Sequence, residues 1–253
     1  MLQDAIPFAS NKTTLLQSKS LQAAATVAGF VLASPALGSF VIDSFAIDQG
    51  VLVAATGGLD STDSASRAGP IAGTAANERS VFASIDAPID DSQVSNASIS
   101  IGRGALAFTF RSDGAIASDP SAYLQASWRY TAGVDLTAVG NTFEIASTFS
   151  GTGIELTLWA VDLAGNMASF AFSPGGTRTI GFAATGWNVA GAPVNFASIE
   201  YLMLDWTADG TLEGSTPAAT SVQSLRVIPA PASLAVLFLA ALCSRRRAGR
   251  SRL

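Results

Sequence analysis

Histidine is absent from the 253 residues, and the single cysteine, Cys243, lies near the carboxyl end. These two absences remove Ser-His-Asp and Cys-His nucleophiles, histidine-bearing zinc sites and haem ligation by histidine. No disulfide can form within the body of the chain, so cysteine usage leaves the redox compartment open. Charge is scarce as well: Lys, Arg, Asp and Glu make up 13% of the residues, against about a quarter in ordinary soluble domains. Phosphate-binding loops are missing too. Gly181 and Gly186 have the spacing of a P-loop without its lysine, and Gly102 and Gly104 lack the third glycine of a dinucleotide fingerprint. Nucleotide enzymology is therefore not expected.

Lysine is missing from the whole stretch 39–227, which holds seven arginines against eighteen carboxylates, a net charge of −11. A surface of that sign repels phosphate backbones, so nucleic acid is excluded as a partner. The remaining composition favours a β fold. Hydrophobic residues reach 49%, too many for disorder, and no segment of the body sustains a 3.6-residue period.

Period-two alternation between short polar breaks recurs instead. It predicts strands at 39–48, 51–55, 79–86, 94–101, 105–111, 122–130, 142–149, 153–161, 167–172, 177–182, 196–207 and 221–227. Residues 59–77, rich in Gly, Ala, Ser and Thr, read as a long polar loop. Asp162, Gly165 and Asn166 suit a tight link between two strands. About a dozen strands without helices imply an all-β fold, an antiparallel β-sandwich or jelly roll. The phenylalanines at strand positions, among them Phe45, Phe108, Phe110, Phe143 and Phe149, are expected in its core.

The two ends have a different character. Lys12 and Lys19 precede an uncharged apolar segment at 21–33, which Pro35 breaks before Ala36, Leu37 and Gly38. This is the layout of a secretory signal peptide cut after Gly38. At the other end IPAPASLAVLFLAALC is followed by Arg245, Arg246, Arg247, Arg250 and Arg252. The apolar run is shorter than the roughly 20 residues of a full span and alone would also suit a buried core helix. A core helix has no reason to end in a cluster of unpaired cations, whereas arginines that snorkel to the phosphate level relax the length requirement. Their position predicts a cytoplasmic carboxyl end with the body outside.

Pro229-Ala230-Pro231, the apolar run and Arg245-Arg246-Arg247 together resemble the PEP-CTERM sorting signal of bacterial exported proteins, with Ala230 where that family usually has glutamate. The resemblance covers about 25 residues of the tail and leaves the body's fold undetermined. It implies export across the inner membrane, anchoring through the carboxyl end, an exosortase-type processing enzyme as partner, and association with the cell surface or extracellular polysaccharide. The expected organisation is a signal peptide at 1–38, a β-sandwich at 39–210, a last strand or tether at 211–227, and a sorting signal with a membrane helix at 228–253.

Within the body no catalytic residue is assigned. Three functions remain: a non-catalytic surface or matrix protein, which is the leading expectation; a carbohydrate-binding module; and a glycosidase, which needs two facing carboxyl groups. Glu144, Glu155 and Glu200 are the strand carboxylates available for that chemistry, and Glu144 and Glu155 become neighbours if their two strands form a hairpin. Trp187, in a glycine-bounded loop with Asn188 beside it, is the candidate sugar contact, while Trp128, Trp159 and Trp206 are expected in the core. No cofactor is assigned. A structural calcium ion would draw on Asp60 and Asp63, on Asp86, Asp90 and Asp91, or on the Asp162 turn, although turn formation and solubility account for all of them.

Overall fold

Buried and accessible side chains alternate along most of the strands, so the period-two sequence pattern becomes two apolar faces pressed together. The computed structural model describes residues 39–56, 59–69, 71, 73–88, 92–114, 116, 122–208 and 217–229. Segment 1–38 and the sorting segment from Ala230 onward lie outside the described residues, and with them both expected terminal helices. Among the described residues every regular element is a strand. In chain order these are β1 (Phe40–Asp43), β2 (Gln49–Thr56), β3 (Ser61–Ala68), β4 (Glu78–Ile85) and β5 (Val94–Gly102). Next come β6 (Ala105–Ser112), β7 (Ala122–Val134), β8 (Thr142–Ser150), β9 (Ile154–Asp162) and β10 (Met167–Phe172). The last are β11 (Gly176–Gly181), β12 (Asn188–Ala190), β13 (Ile199–Ala208) and β14 (Ala218–Ile228).

The strands form two antiparallel seven-stranded sheets. The first runs β11-β8-β14-β6-β5-β2, with β1 beside β14, and the second runs β12-β10-β9-β13-β7-β4-β3. Strand β14 is central: β8 covers one edge, while β6 takes the other at Ala218–Val222 and β1 takes it at Leu225–Val227. Residues 218–228 are thus an interior strand of the sandwich and not a tether. At its end a Cβ on Gly140 would overlap the Ile228 carbonyl and the Pro229 nitrogen, so a glycine lets the 137–141 turn close over the point where the chain leaves the sheet.

One hydrophobic core fills the space between the sheets. Trp128, Trp206, Phe108, Phe110 and Phe143 are almost completely buried, each ring contributing about 1.5–3 kcal/mol of transfer free energy. Trp206 of the second sheet stacks on Phe108 of the first at 6.1 Å, and its indole N–H donates to the Thr220 hydroxyl at 2.9 Å. Phe149 departs from the expected core: it is 52% exposed at the end of β8.

Three features differ from the sequence reading. Strand β3 runs through the expected polar loop. It is an edge strand whose only partly buried apolar side chain is Ala65, so it carries no hydrophobic alternation to reveal it. Strands β8 and β9 do not form a hairpin; the chain crosses at 151–153 from one sheet to the other. At one end of the sandwich a buried ion pair, Arg79 Nη1 to Asp43 Oδ2 at 2.9 Å, sits with both side chains at 0% exposure. Arg79 also donates to Gln49 Oε1 and to the Ile47 carbonyl, and Asp43 accepts from Trp128 Nε1 and the Phe45 N–H. Phe45 is fully buried at φ 53°, a left-handed conformation a bulky side chain adopts only when its surroundings enforce it.

Candidate functional face of the second sheet

The residues that alternate with the core side chains of β4, β7, β13 and β9 meet on the outer face of the second sheet. Register fixes them in rows. Glu78, Arg129, Tyr201 and Val161 form one; Ser80, Ser127, Met203 and Trp159 the next; Phe82, Gln125, Asp205 and Thr157 the third; Ser84, Tyr123, Thr207 and Glu155 the fourth. Four aromatic rings therefore share this face. The outward positions of the first sheet include Leu52, Ala54, Asn96, Ser98, Ser100, Ala107, Thr109, Arg111, Glu144, Thr148, Ala219, Ser221 and Arg226, and the exposed ring of that sheet among the described residues is Phe149, at the end of β8.

Neighbouring strands hold each ring. Phe82 and Tyr123 meet at 6.0 Å, and the Arg129 guanidinium lies over Tyr201 at 5.2 Å. A bulge in β13 between Ile199 and Tyr201 adds Glu200, which accepts from Arg129 Nη2 at 3.3 Å; Glu78 lies 3.9 Å from Nη1. Asp205 is the buried carboxyl of the face. Gln125 Nε2 donates to Asp205 Oδ1 at 2.8 Å and to the Tyr123 hydroxyl at 2.7 Å. Burial raises the Asp205 carboxyl above its ordinary value, and hydrogen bonds from Gln125 and Tyr123 only partly oppose it. Burial, followed by the charge of Asp205, raises the Tyr123 phenol in turn. The Trp159 indole N–H lies within reach of the same carboxylate without closing a well-formed hydrogen bond, and it is left as a buried donor with no partner.

A buried carboxyl of this kind makes a measurable difference to stability. Because its folded value is raised, Asp205 contributes stability that is complete below about pH 4, its unfolded value, and lost as the pH rises through the folded value. Asp205→Asn keeps an acceptor for Gln125 and removes the ionisation. It is expected to raise the thermal midpoint at pH 8, with the gain disappearing near pH 4; thermal melts of both proteins across that range check this.

The other sequence candidates lie elsewhere. Glu144, on the outer face of the first sheet, accepts from Arg226 Nε at 2.7 Å, while Glu155 is exposed on the outer face of the second. The two carboxylates that a hairpin would have made neighbours are thus on opposite surfaces of the sandwich, because β8 and β9 belong to different sheets. Trp187 is half-buried among Phe143, Phe170 and Phe196, and its indole N–H donates to the Gly181 carbonyl at 2.9 Å. Asn188 is exposed on β12. Trp159 is the reverse case: expected in the core, it faces outward between buried Leu158 and Ala160.

Among the described residues no three of His, Cys, Asp and Glu gather as a metal site. Asp60 accepts from the Ala87 N–H and Asp63 from the Ser64 N–H, Asp86 is half-buried, and Asp90 and Asp91 lie outside the described residues. Asp162 is fully buried and accepts from the backbone N–H groups of Ala164, Asn166 and Asn195 and from Asn166 Nδ2. Burial raises its carboxyl, but these hydrogen bonds outweigh burial and hold it below the ordinary value. Its oxygens are committed to closing the β9–β10 hairpin. Pro229 directly follows β14, whereas Ala230, Pro231, Arg245, Arg246 and Arg247 lie outside the described residues. Among the described residues no helix is long and apolar enough to cross a membrane.

The fold and this face define an all-β sandwich with an aromatic, carboxylate-bearing sheet surface. No family model matches the chain, and no curated protein matches it. Solved structures similar to it include the family 11 carbohydrate-binding module of a cellulosomal cellulase of Clostridium thermocellum, at 9% identity and TM-score 0.39, covering 78% of this chain and 97% of that one. Another is the family 11 xylanase from Neocallimastix patriciarum, at 11% identity and TM-score 0.35, covering 69% and 98%. A third is an agarase, at 13% identity and TM-score 0.38, covering 53% of this chain but only 22% of that one. At these values the likeness assigns neither a family nor an activity.

Proposed function

We propose that the protein is an exported, non-catalytic β-sandwich that binds polysaccharide through the outer face of its second sheet and is retained at the cell envelope by its carboxyl tail. The observation that carries the binding reading is the asymmetry of the two outer faces: four rings with interleaved hydrogen-bonding groups across the middle of one, and aliphatic, hydroxyl and ion-paired side chains with a single exposed ring, Phe149, at the edge of the other. Flat rings stack on the apolar faces of pyranoses, while Gln125, Thr157 and Glu155 offer acceptors and donors to sugar hydroxyls. The retention reading rests on the sequence of the tail, which begins where β14 ends at Ile228.

One fractionation experiment tests both halves. Full-length protein is expected to sediment with membranes and to retain insoluble polysaccharide, while a chain lacking residues 228–253 is released; equal release of both defeats the anchoring half. Trp159→Ala and Phe82→Ala are each expected to weaken retention of polysaccharide about tenfold, since stacking on one ring is worth about 1–3 kcal/mol where measured on nucleobases. Trp187→Ala, which removes a ring from the aromatic cluster, is expected to lower the thermal midpoint and leave binding intact. Unchanged binding in the first two variants defeats the binding half.

A further inference from the structure

Resting on that reading, we infer that the ligand is an uncharged polysaccharide, read as a segment of about three sugar residues lying across the strands, and that uronate-bearing and sulfated polymers are rejected. Length follows from register. Phe82 on β4 and Trp159 on β9 are separated by β7 and β13, three strand spacings or about 14 Å, with an offset of two residues along the strands. Tyr123 joins Phe82 at one end of this track and Gln125 lies at its middle. A ring pair, a hydrogen-bonding centre and a second ring thus follow one another over roughly the length of a trisaccharide.

Charge sets the class. The face carries four carboxylates, Glu78, Glu155, Glu200 and Asp205, and one cation, Arg129, whose terminal nitrogens lie 3.9 Å from Glu78 and 3.3 Å from Glu200. No lysine lies anywhere between residues 39 and 227. An anionic polymer would find no free cation among the described residues of this face, and the net −11 of the body would repel it. Toward a polycation the face keeps a net negative charge: Arg129 offsets only one of the two charges of Glu78 and Glu200, while Asp205 is buried at 7% exposure with its oxygens facing Gln125 and Tyr123. Glu155 is exposed, with no ion pair among the described residues. Neutral hydroxyls suit this mixture of acceptors and rings.

The full chain would be tested on an array of mixed-linkage β-glucan, xylan and agarose as neutral polymers, alginate and carrageenan as anionic ones, and chitosan as the cationic one. Expected is binding to at least one neutral polymer, a change of less than about twofold between physiological and high salt, and oligosaccharide affinity that rises to the trisaccharide and then levels off. Tightest binding to alginate, carrageenan or chitosan, a salt-induced loss of about tenfold, or affinity still climbing beyond the hexasaccharide would overturn the inference while leaving polysaccharide binding in place. Binding to no polymer on the array would overturn the binding reading itself, and Trp159→Ala reports whether any retention uses this face.

Discussion

Arg79→Met is expected to destabilise the protein by about 3–5 kcal/mol, because it leaves the Asp43 carboxylate buried without its counter-charge. Arg79 and Asp43 are both at 0% exposure, and the guanidinium bridges Asp43 of β1, Gln49 of β2 and the Ile47 carbonyl from its place on β4. Trp128 of β7 donates to the same carboxylate. Removing the cation thus disturbs one end of the sandwich where both sheets are joined. The double variant Asp43→Asn with Arg79→Met is expected to lose less than the sum of the two single changes, since the charge that lacked a partner is gone. Chemical denaturation of the four proteins closes that cycle; additive losses would show that the pair is not energetically coupled.

Trp206→Ala is expected to cost about 3–5 kcal/mol, the usual range for emptying a buried aromatic site. Its ring stacks on Phe108 across the interior, and its indole N–H satisfies the buried hydroxyl of Thr220. Trp206→Phe retains much of the packing but orphans that hydroxyl, so a smaller loss is expected, about 1–3 kcal/mol. Adding Thr220→Val to Trp206→Phe should recover part of it. Urea denaturation measures each step, and no recovery in the double variant would mean that the hydrogen bond is not what Trp206→Phe loses. Against a total stability of about 5–15 kcal/mol for a typical domain, either large change removes a substantial share.

Most of the strands were legible because each side faces a different environment. Residues 96–101 alternate polar with buried apolar side chains, and β5 appears where that pattern stands. Strand β3 was hidden because an edge strand with little to bury needs no hydrophobic face. Pairing was harder to read than existence. A three-residue link between β8 and β9 suits a hairpin, and only the requirement that each strand cover its own sheet sends them apart.

The proposed site is legible in type but not in place. Aromatic residues and carboxylates are the chemistry a sugar-binding face needs, yet a glycine-bounded loop points to Trp187 and a strand-like stretch points Trp159 to the core. Phase decides otherwise: Leu156, Leu158 and Ala160 are the buried set, which turns Trp159 outward. The same reasoning would have found the buried ion pair. Arg79 is in phase with Val81, Ala83 and Ile85, so a cation aimed at the core was readable from β4, although the identity of its partner, 36 residues earlier, was not.

The central place of β14 gives the molecule a direction for mechanical load. A pull applied at Pro229 along that strand would strain its bonds to β8 and β6 together, in shear, where peeling an edge strand would break them one after another. If a polymer grips the opposite surface, tension between grip and tether crosses the packed interior, where Trp206 meets Thr220, and the Arg79–Asp43 junction. The module would then act as a coupling that carries its load through its buried centre and not along its rim.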